Sequence, residues 1–394
     1  MKIRRYIIIA LASLIALPAL ADSNGKDQFN PVQTGVTSLG IAPDARGAAM
    51  GDLGVATEPD AYSQYWNPSK YAFAYSSAAV SLSYTPWLRK LVNDIFLANL
   101  SGYWKMGGGD NQAVSASLRY FSLGEIQMTD GAGTVANSVS PYEMAFDLGY
   151  SRKLSESFSM GVALRYIYSD LAFSDAYSAE QQKGASAFAA DISGFLTTYP
   201  VVGRNECQWS WGFNISNIGS KVSYNDGNDL RLGTTFTFPV AQYNNIALSL
   251  DANKLLVPTR PRQSDFTDAE GNYDQEAYES KLEDWRNTSS ISGIFKSFSD
   301  APGGFKEELK EITLSVGAEY NYNQQFFVRT GYFYENAMKG NRQYFSFGAG
   351  FSLNVVQLDA AYMIATAQNS PLDQTLRFSL TFDMDGLKHL LGKK

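Results

Sequence analysis

Of its 394 residues the chain has one cysteine, Cys207, and one histidine, His389. A lone cysteine excludes an intramolecular disulfide framework. A lone histidine removes most zinc sites and most serine–histidine catalysis together. Positive charge is short as well: 32 Lys and Arg stand against 39 Asp and Glu, for a net charge of −7. An acidic chain is a poor partner for the phosphate backbone of nucleic acid. Past residue 21 there is no long apolar run, and the mean hydropathy is slightly polar at −0.21. Nothing in the sequence supplies the roughly 20 consecutive apolar residues of a spanning helix.

What is present starts at the N-terminus. Lys2, Arg4 and Arg5 precede Ile7 to Leu17, an apolar run of eleven residues with one Ser, and Ala19-Leu20-Ala21 ends in a small-x-small site before Asp22. Residues 1–21 therefore read as a cleaved secretory signal peptide. No Cys follows Ala21, which argues against a lipid-anchored N-terminus. The exported chain is rich in aromatics, with 24 Phe, 24 Tyr and 6 Trp. A transmembrane β-barrel reconciles this load with the polar average, because its lipid face is apolar and its lumen polar.

From Ser77 onward the pattern has period two. Fourteen segments emerge, near 78–86, 95–105, 112–121, 143–152, 158–168, 187–197, 208–217, 230–238, 246–251, 312–320, 326–334, 344–353, 356–365 and 375–383. Most have the length that a tilted spanning strand needs. In the last, Leu376, Phe378, Leu380 and Phe382 form one face, with Arg377, Ser379, Thr381 and Asp383 on the other. The polar face carries Arg119, Asp147, Arg165, Asp191, Arg231, Asp251, Glu319, Arg329, Asp359 and Arg377, predicted to face the lumen as ion pairs. In a soluble sandwich, Trp209, Trp211 and Phe213 would crowd one core face; in a barrel they face lipid. The expected fold is all-β: a 14-stranded antiparallel transmembrane barrel over 77–384, with a short tail at 385–394.

Loop lengths alternate. The connections near 106–111, 153–157, 198–207, 239–243, 322–325 and 354–355 are short, apart from 198–207. Those near 122–142, 170–186, 218–229, 254–310, 335–343 and 366–374 are generally longer. Short periplasmic turns and long outer loops imply that both termini are periplasmic in an outer membrane. The longest loop, 254–310, holds eleven Asp and Glu against eight Lys and Arg. Within it, residues 274–287 have helical periodicity, with Tyr278, Leu282 and Trp285 on one stripe. That stripe suits either a lid packed on the barrel mouth or a helix that docks a partner.

Residues 22–76 do not alternate. Asp44 can cap a short helix whose Ala45, Gly47, Ala48 and Gly51 permit close backbone packing. Trp66-Asn67-Pro68 is a turn signal, taken as the anchor of a hatch folded into the lumen. The run Ala42-Pro43-Asp44-Ala45-Arg46-Gly47, then Met50-Gly51-Asp52, Gly54-Val55-Ala56-Thr57 and Tyr65-Trp66-Asn67-Pro68-Ser69-Lys70, resembles the hatch of FadL-type outer-membrane proteins, which are fourteen-stranded barrels with an N-terminal plug. Within that family it is similar to the PorV branch of the type IX secretion system; Ser69 departs from the Ala common in general FadL hatches. The resemblance implies a non-enzymatic secretion subunit. Such a subunit binds the C-terminal signal domain of cargo from a translocon and passes it to a sortase-like surface attachment complex. The alternative is a FadL-type passive transporter of small hydrophobic compounds, and a third reading is a structural or adhesive surface protein.

No other motif carries chemistry. Gly107-Gly108-Gly109-Asp110-Asn111 lacks the Lys and Ser/Thr of a phosphate loop. Residues 268–274 are acidic but miss the spacing of a calcium-binding loop. His389 follows the last strand, where it cannot serve a hydrolase acting at the outer leaflet. Cys207 reads as inert, near a turn. No catalytic residue, metal or cofactor is expected.

Overall fold

The computed structural model describes residues 29–390, apart from 33, 90, 91, 93, 107–110, 130–134, 172–183, 221–226, 269 and 367–371. The expected signal peptide and the turn at 107–110 lie outside the described residues. Fourteen strands form one closed antiparallel ring: β1 Ala78–Pro86, β2 Ile95–Met106, β3 Gln112–Leu123, β4 Tyr142–Lys153, β5 Phe158–Asp170, β6 Ala185–Thr198 and β7 Gln208–Gly219. The ring continues with β8 Asp229–Ala241, β9 Asn244–Leu255, β10 Ile312–Tyr322, β11 Phe326–Tyr334, β12 Gln343–Leu353, β13 Val356–Ala365 and β14 Leu376–Asp383. Each strand pairs with its neighbour in sequence, and β14 closes on β1 through Val80↔Phe382 and Leu82↔Leu380. Closure leaves the wall no unpaired edge, which a hydrocarbon environment demands.

The alternation places polarity inside. On β5, Met160, Val162 and Leu164 are exposed while Ser159, Arg165 and Ile167 are buried. A soluble fold would invert this arrangement; here the exposed apolar face is the lipid face. Strand turns at one rim are short, such as 323–325, where Asn323 and Gln324 take positive φ. The exception on that rim, 199–207, is a small hairpin pairing Val201–Val202 with Asn205–Glu206. The opposite rim carries the long connections. The one between β3 and β4 contains a second hairpin, Ile126–Thr129 with Val135–Val139. The largest connection, 256–311, contains α3 Gln275–Asn287, α4 Ser290–Lys296 and α5 Phe305–Lys310.

Residues ahead of β1 form two short helices, α1 Ala45–Ala49 and α2 Ser63–Trp66, then a 3-10 turn over Pro68–Phe73. The Asp44 carboxylate caps α1 by accepting from Gly47 N at 2.6 Å. Ala45, Ala48 and Ala49 are fully buried. A last helix, α6 Met384–Leu390, follows β14 and packs on β1.

Candidate functional site in the lumen and at the long-loop rim

The N-terminal segment is bound to strands all round the ring. The Tyr62 hydroxyl donates to Leu82 O of β1 at 3.0 Å, and the Ser101 hydroxyl of β2 donates to Ala61 O at 2.9 Å. Asn67 Nδ2 donates to Gly194 O of β6 and to Val55 O, both at 3.0 Å. On the far side, Gly54 N and Val55 N donate to the Asp251 carboxylate of β9 at 2.8 and 3.0 Å. Gly51 N donates to the Ser346 hydroxyl of β12 at 2.8 Å, and Ala45 N to the Ser379 hydroxyl of β14 at 2.7 Å. The bonds from Ala45 N, Gly51 N, Gly54 N and Val55 N, and those to Val55 O and Ala61 O, satisfy backbone groups of the segment that burial would otherwise leave orphaned.

The three turn residues share one knot. Trp66 is buried in the segment, its Nε1 donating to Asp44 at 2.7 Å. It presses on Gly47 and Gly54, where any Cβ would overlap the indole. The Asn67 side-chain oxygen accepts from Ser69 N at 3.1 Å, and Pro68 opens the 3-10 turn. The Lys70 ammonium, fully buried, donates to Gly54 O at 2.8 Å and to the Thr57 hydroxyl at 3.1 Å.

All ten charged wall positions are buried, and they divide into two kinds. Some pair within the wall: Arg165 with Asp147 at 2.5 Å and Asp191 at 2.9 Å, and Arg329 with Glu319 and Asp359, both at 2.5 Å. Others serve the segment. Glu319 also accepts from Arg46 at 3.1 Å, Arg377 holds Asp52 at 2.9 Å, and Arg119 donates to Ser38 O at 2.6 Å. Arg231 pairs with Asp229 at 2.6 Å, donates to Tyr65 O at 3.1 Å, and stacks 4.3 Å from the Tyr65 ring. Sequence reasoning singled out the wall half of these pairs; the segment half (Arg46, Asp52, Tyr65) lies within the quoted motif but carried no assigned role.

Above the segment, toward the long-loop rim, lies a cavity of about 290 Å³. Val36, Leu39 and Phe333 line it beside Arg231, Glu335 and Lys339, so its surface is mixed and not apolar. Two further lumenal voids hold about 10 and 20 Å³ and are lined largely by charged and polar groups. That is room for about one water each.

At the rim, a clamp missed by sequence reasoning holds the long loop. Lys254 bonds Glu308 at 2.9 Å and Glu311 at 2.5 Å; Lys339 bonds Glu307 at 2.7 Å and Glu311 at 3.0 Å. Asp300 lies beside this clamp and accepts from Thr259 N at 3.0 Å. Burial, reinforced by the Glu308 and Glu311 carboxylates, pushes its carboxyl up to about 6. Of the predicted helical stripe, Trp285 is buried and donates from Nε1 to Pro258 O at 2.8 Å. Tyr278 packs edge-on against Phe266, 5.7 Å away, and Leu282 is half-buried. The stripe thus rests on its own loop. Asp268 closes a turn by accepting from Glu270 N and Asn272 N at 2.9 and 2.8 Å, and no metal-binding cluster occurs among the described residues.

Closure, inverted polarity and a bonded N-terminal segment define the class: an outer-membrane β-barrel of FadL-like architecture. The fold resembles a TodX mutant, a monoaromatic hydrocarbon channel, at a TM-score of 0.50 and 11% identity, covering 86% of this chain and 98% of that one. A Pseudomonas aeruginosa FadL homologue aligns at a TM-score of 0.42 and 11% identity, over 90% and 99% of the two chains. No curated protein matches. The model of the type IX secretion system protein PorV matches residues 23–262, more than half of the chain. The chain belongs to the PorV family and is an outer-membrane component of the type IX secretion system.

Proposed function

We propose that the chain is a non-enzymatic adaptor whose long-loop rim, taken as extracellular, captures secreted cargo through its C-terminal signal domain. It then presents that cargo to the translocon subunit or the surface attachment complex. Residues 22–76 act as a fixed plug, with Trp66, Asn67 and Pro68 as its anchor. Both termini are periplasmic. One observation carries this reading: the lumen is filled, bonded and polar. A passive transporter of hydrophobic compounds needs a continuous apolar passage, whereas the lumenal cavity of about 290 Å³ is mixed and the small voids are polar. Function therefore falls to the rim, where the 256–311 loop and the loop between β3 and β4 offer contacts.

Affinity purification of the tagged protein from native envelope, followed by mass spectrometry, tests this. Secretion machinery or secreted cargo should co-purify, and recovery of neither overturns the reading. Deleting 262–300 while keeping the barrel should reduce secretion; undiminished secretion removes the loop as the docking element.

A further inference from the structure

Outer-membrane barrels hold their depth with girdles of aromatic side chains at each lipid–water boundary. At the long-loop rim this girdle is incomplete in the wall. Ten strands carry outward aromatics in the half nearest that rim: Tyr84, Phe96, Tyr120, Tyr142, Tyr168 and Phe188 on β1 to β6, and further Tyr and Phe on β11 to β14. Several touch in succession, with Tyr84 and Phe96 at 5.6 Å, Phe96 and Tyr120 at 6.1 Å, and Tyr120 and Tyr142 at 5.5 Å. The four consecutive strands β7 to β10 have none there. Their outward positions there are aliphatic, small or polar, among them Ile215, Ile218, Leu230, Leu232, Leu250, Lys254, Ile312 and Leu314.

The helices of the longest loop sit over this gap. α4 packs on β7, and its first residue is tied to the start of β8 by Asn228 Nδ2 donating to the Ser290 hydroxyl at 3.1 Å. α5 runs directly into β10. Lys254 marks where α5 lies. It is in register with Leu230 and Ile312, an outward position, yet it is only 8% exposed because Glu308 of α5 and Glu311 just after it both pair with it. So α5 sits against the top of the wall where β9 and β10 end. Both helices turn their polar or acidic face inward: Ser290 and Ser297 are buried, and Glu307 and Glu308 are paired. The opposite face presents Ile291, Phe295 and Phe298 from α4 and just beyond it, and Phe305 and Leu309 from α5, which are 64, 74, 50, 76 and 51% exposed. Lys296 and Lys306 stand exposed beside them. Apolar side chains flanked by Lys are the composition of an interfacial helix, which buries its apolar face about 5–10 Å into the headgroup boundary.

We infer that α4 and α5 are an interfacial anchor: their Ile291, Phe295, Phe298, Phe305 and Leu309 insert at the lipid–water boundary and complete the aromatic girdle over β7 to β10, with Lys296 and Lys306 at the lipid phosphates. The largely exposed helix α3 is then the part of the loop left to water. This inference rests on the barrel's membrane placement and not on the cargo role.

The test uses the full chain with Cys207→Ser, reconstituted in phosphatidylethanolamine–phosphatidylglycerol vesicles without any secretion partner. Single cysteines replacing Phe295 and Phe305 carry an environment-sensitive fluorophore, with Leu232→Cys as the wall control and Glu283→Cys on α3 as the water control. A shallow nitroxide phospholipid should quench the Phe295 and Phe305 labels as strongly as the Leu232 label, with blue-shifted emission. Labels at Phe295 and Phe305 that match Glu283 in emission and quenching overturn the inference, and leave the face open to a protein instead.

Discussion

Two parts of this molecule lack strands, and they are stabilised in different ways. The segment ahead of β1 is rich in small residues and enclosed at its centre, with Ala45, Ala48, Ala49 and Val55 at 0% exposure. The loop 256–311 is charged, clamped at a few points, and leaves large apolar side chains outside, with Phe295 and Phe305 each about three-quarters exposed. Both satisfy buried polar groups through the wall. The segment does so along its length, at strands all round the ring; the loop does so at few points, Asn228, Lys254 and, from the neighbouring β11–β12 connection, Lys339, so most of it can vary. In the first the lumen dictates the sequence, and in the second the surroundings of the rim do.

The sharpest way to break this contrast is at Gly331 of β11. Any Cβ there would lie inside contact distance of the Met50–Gly51 backbone, and Gly51 itself needs its positive φ of 83°. Backbone on both sides leaves nothing flexible to move. Gly331→Ala should cost at least about 4 kcal/mol and prevent assembly. Loss of the heat-modifiable folded band on gels reads this directly. A variant that folds normally would show that the segment can retreat from the wall.

Next in size is Arg329→Met. Arg329 is 2% exposed and bridges Glu319 to Asp359. Removing it strands a buried carboxylate at Asp359 and leaves Glu319 to Arg46 alone. Breaking a buried pair from one side costs about 3 kcal/mol. A lowered urea midpoint for unfolding from vesicles checks it, and partial rescue by a second change, Asp359→Asn, would locate the effect in the unpaired charge.

The sequence made the wall legible because period two is a local signal, and all fourteen strands were found from it. Edges blurred where alternation fails. β9 was expected over 246–251 but spans Asn244–Leu255, because Asn244, Asn245, Asn253 and Lys254 do not alternate with apolar neighbours. β7 runs on to Gly219 past a bulge at Ile215/Ile218, with Asn217 at φ 60°. The charged wall positions were readable one strand at a time. Their partners were not: Arg46 meets Glu319 across 273 residues, and no pattern in either segment announces the other. The rim clamp was invisible for a stronger reason. By strand parity Lys254 belongs on the lipid face, and it is the loop's Glu308 and Glu311 that make that position polar.

The smallest expected effect belongs to the loop, and it depends on pH. The Asp300 carboxyl is pushed from 3.8 up to about 6, so the folded loop binds a proton more tightly than the open loop does. For a raised acid the sign is fixed: the stability that Asp300 contributes to the loop is greatest below about pH 4 and falls as pH rises through about 6, whereas the Glu307 carboxyl, which despite burial the Lys339 ammonium holds below its usual range, acts in the opposite sense at lower pH. Asp300→Asn keeps an acceptor for Thr259 N and removes the titration. Protection of the amides across 256–311, taken relative to intrinsic exchange, should then lose the part that falls between pH 4 and 7, and at neutral pH the variant loop should be more protected than the parent, by about threefold once solvent screening of a half-exposed group is allowed for. Protection of residues 36–74 should not change, since Asp300 bonds none of them. A change there of equal size would mean that the loop and the segment open as one unit, which would erase the distinction between clamp and core.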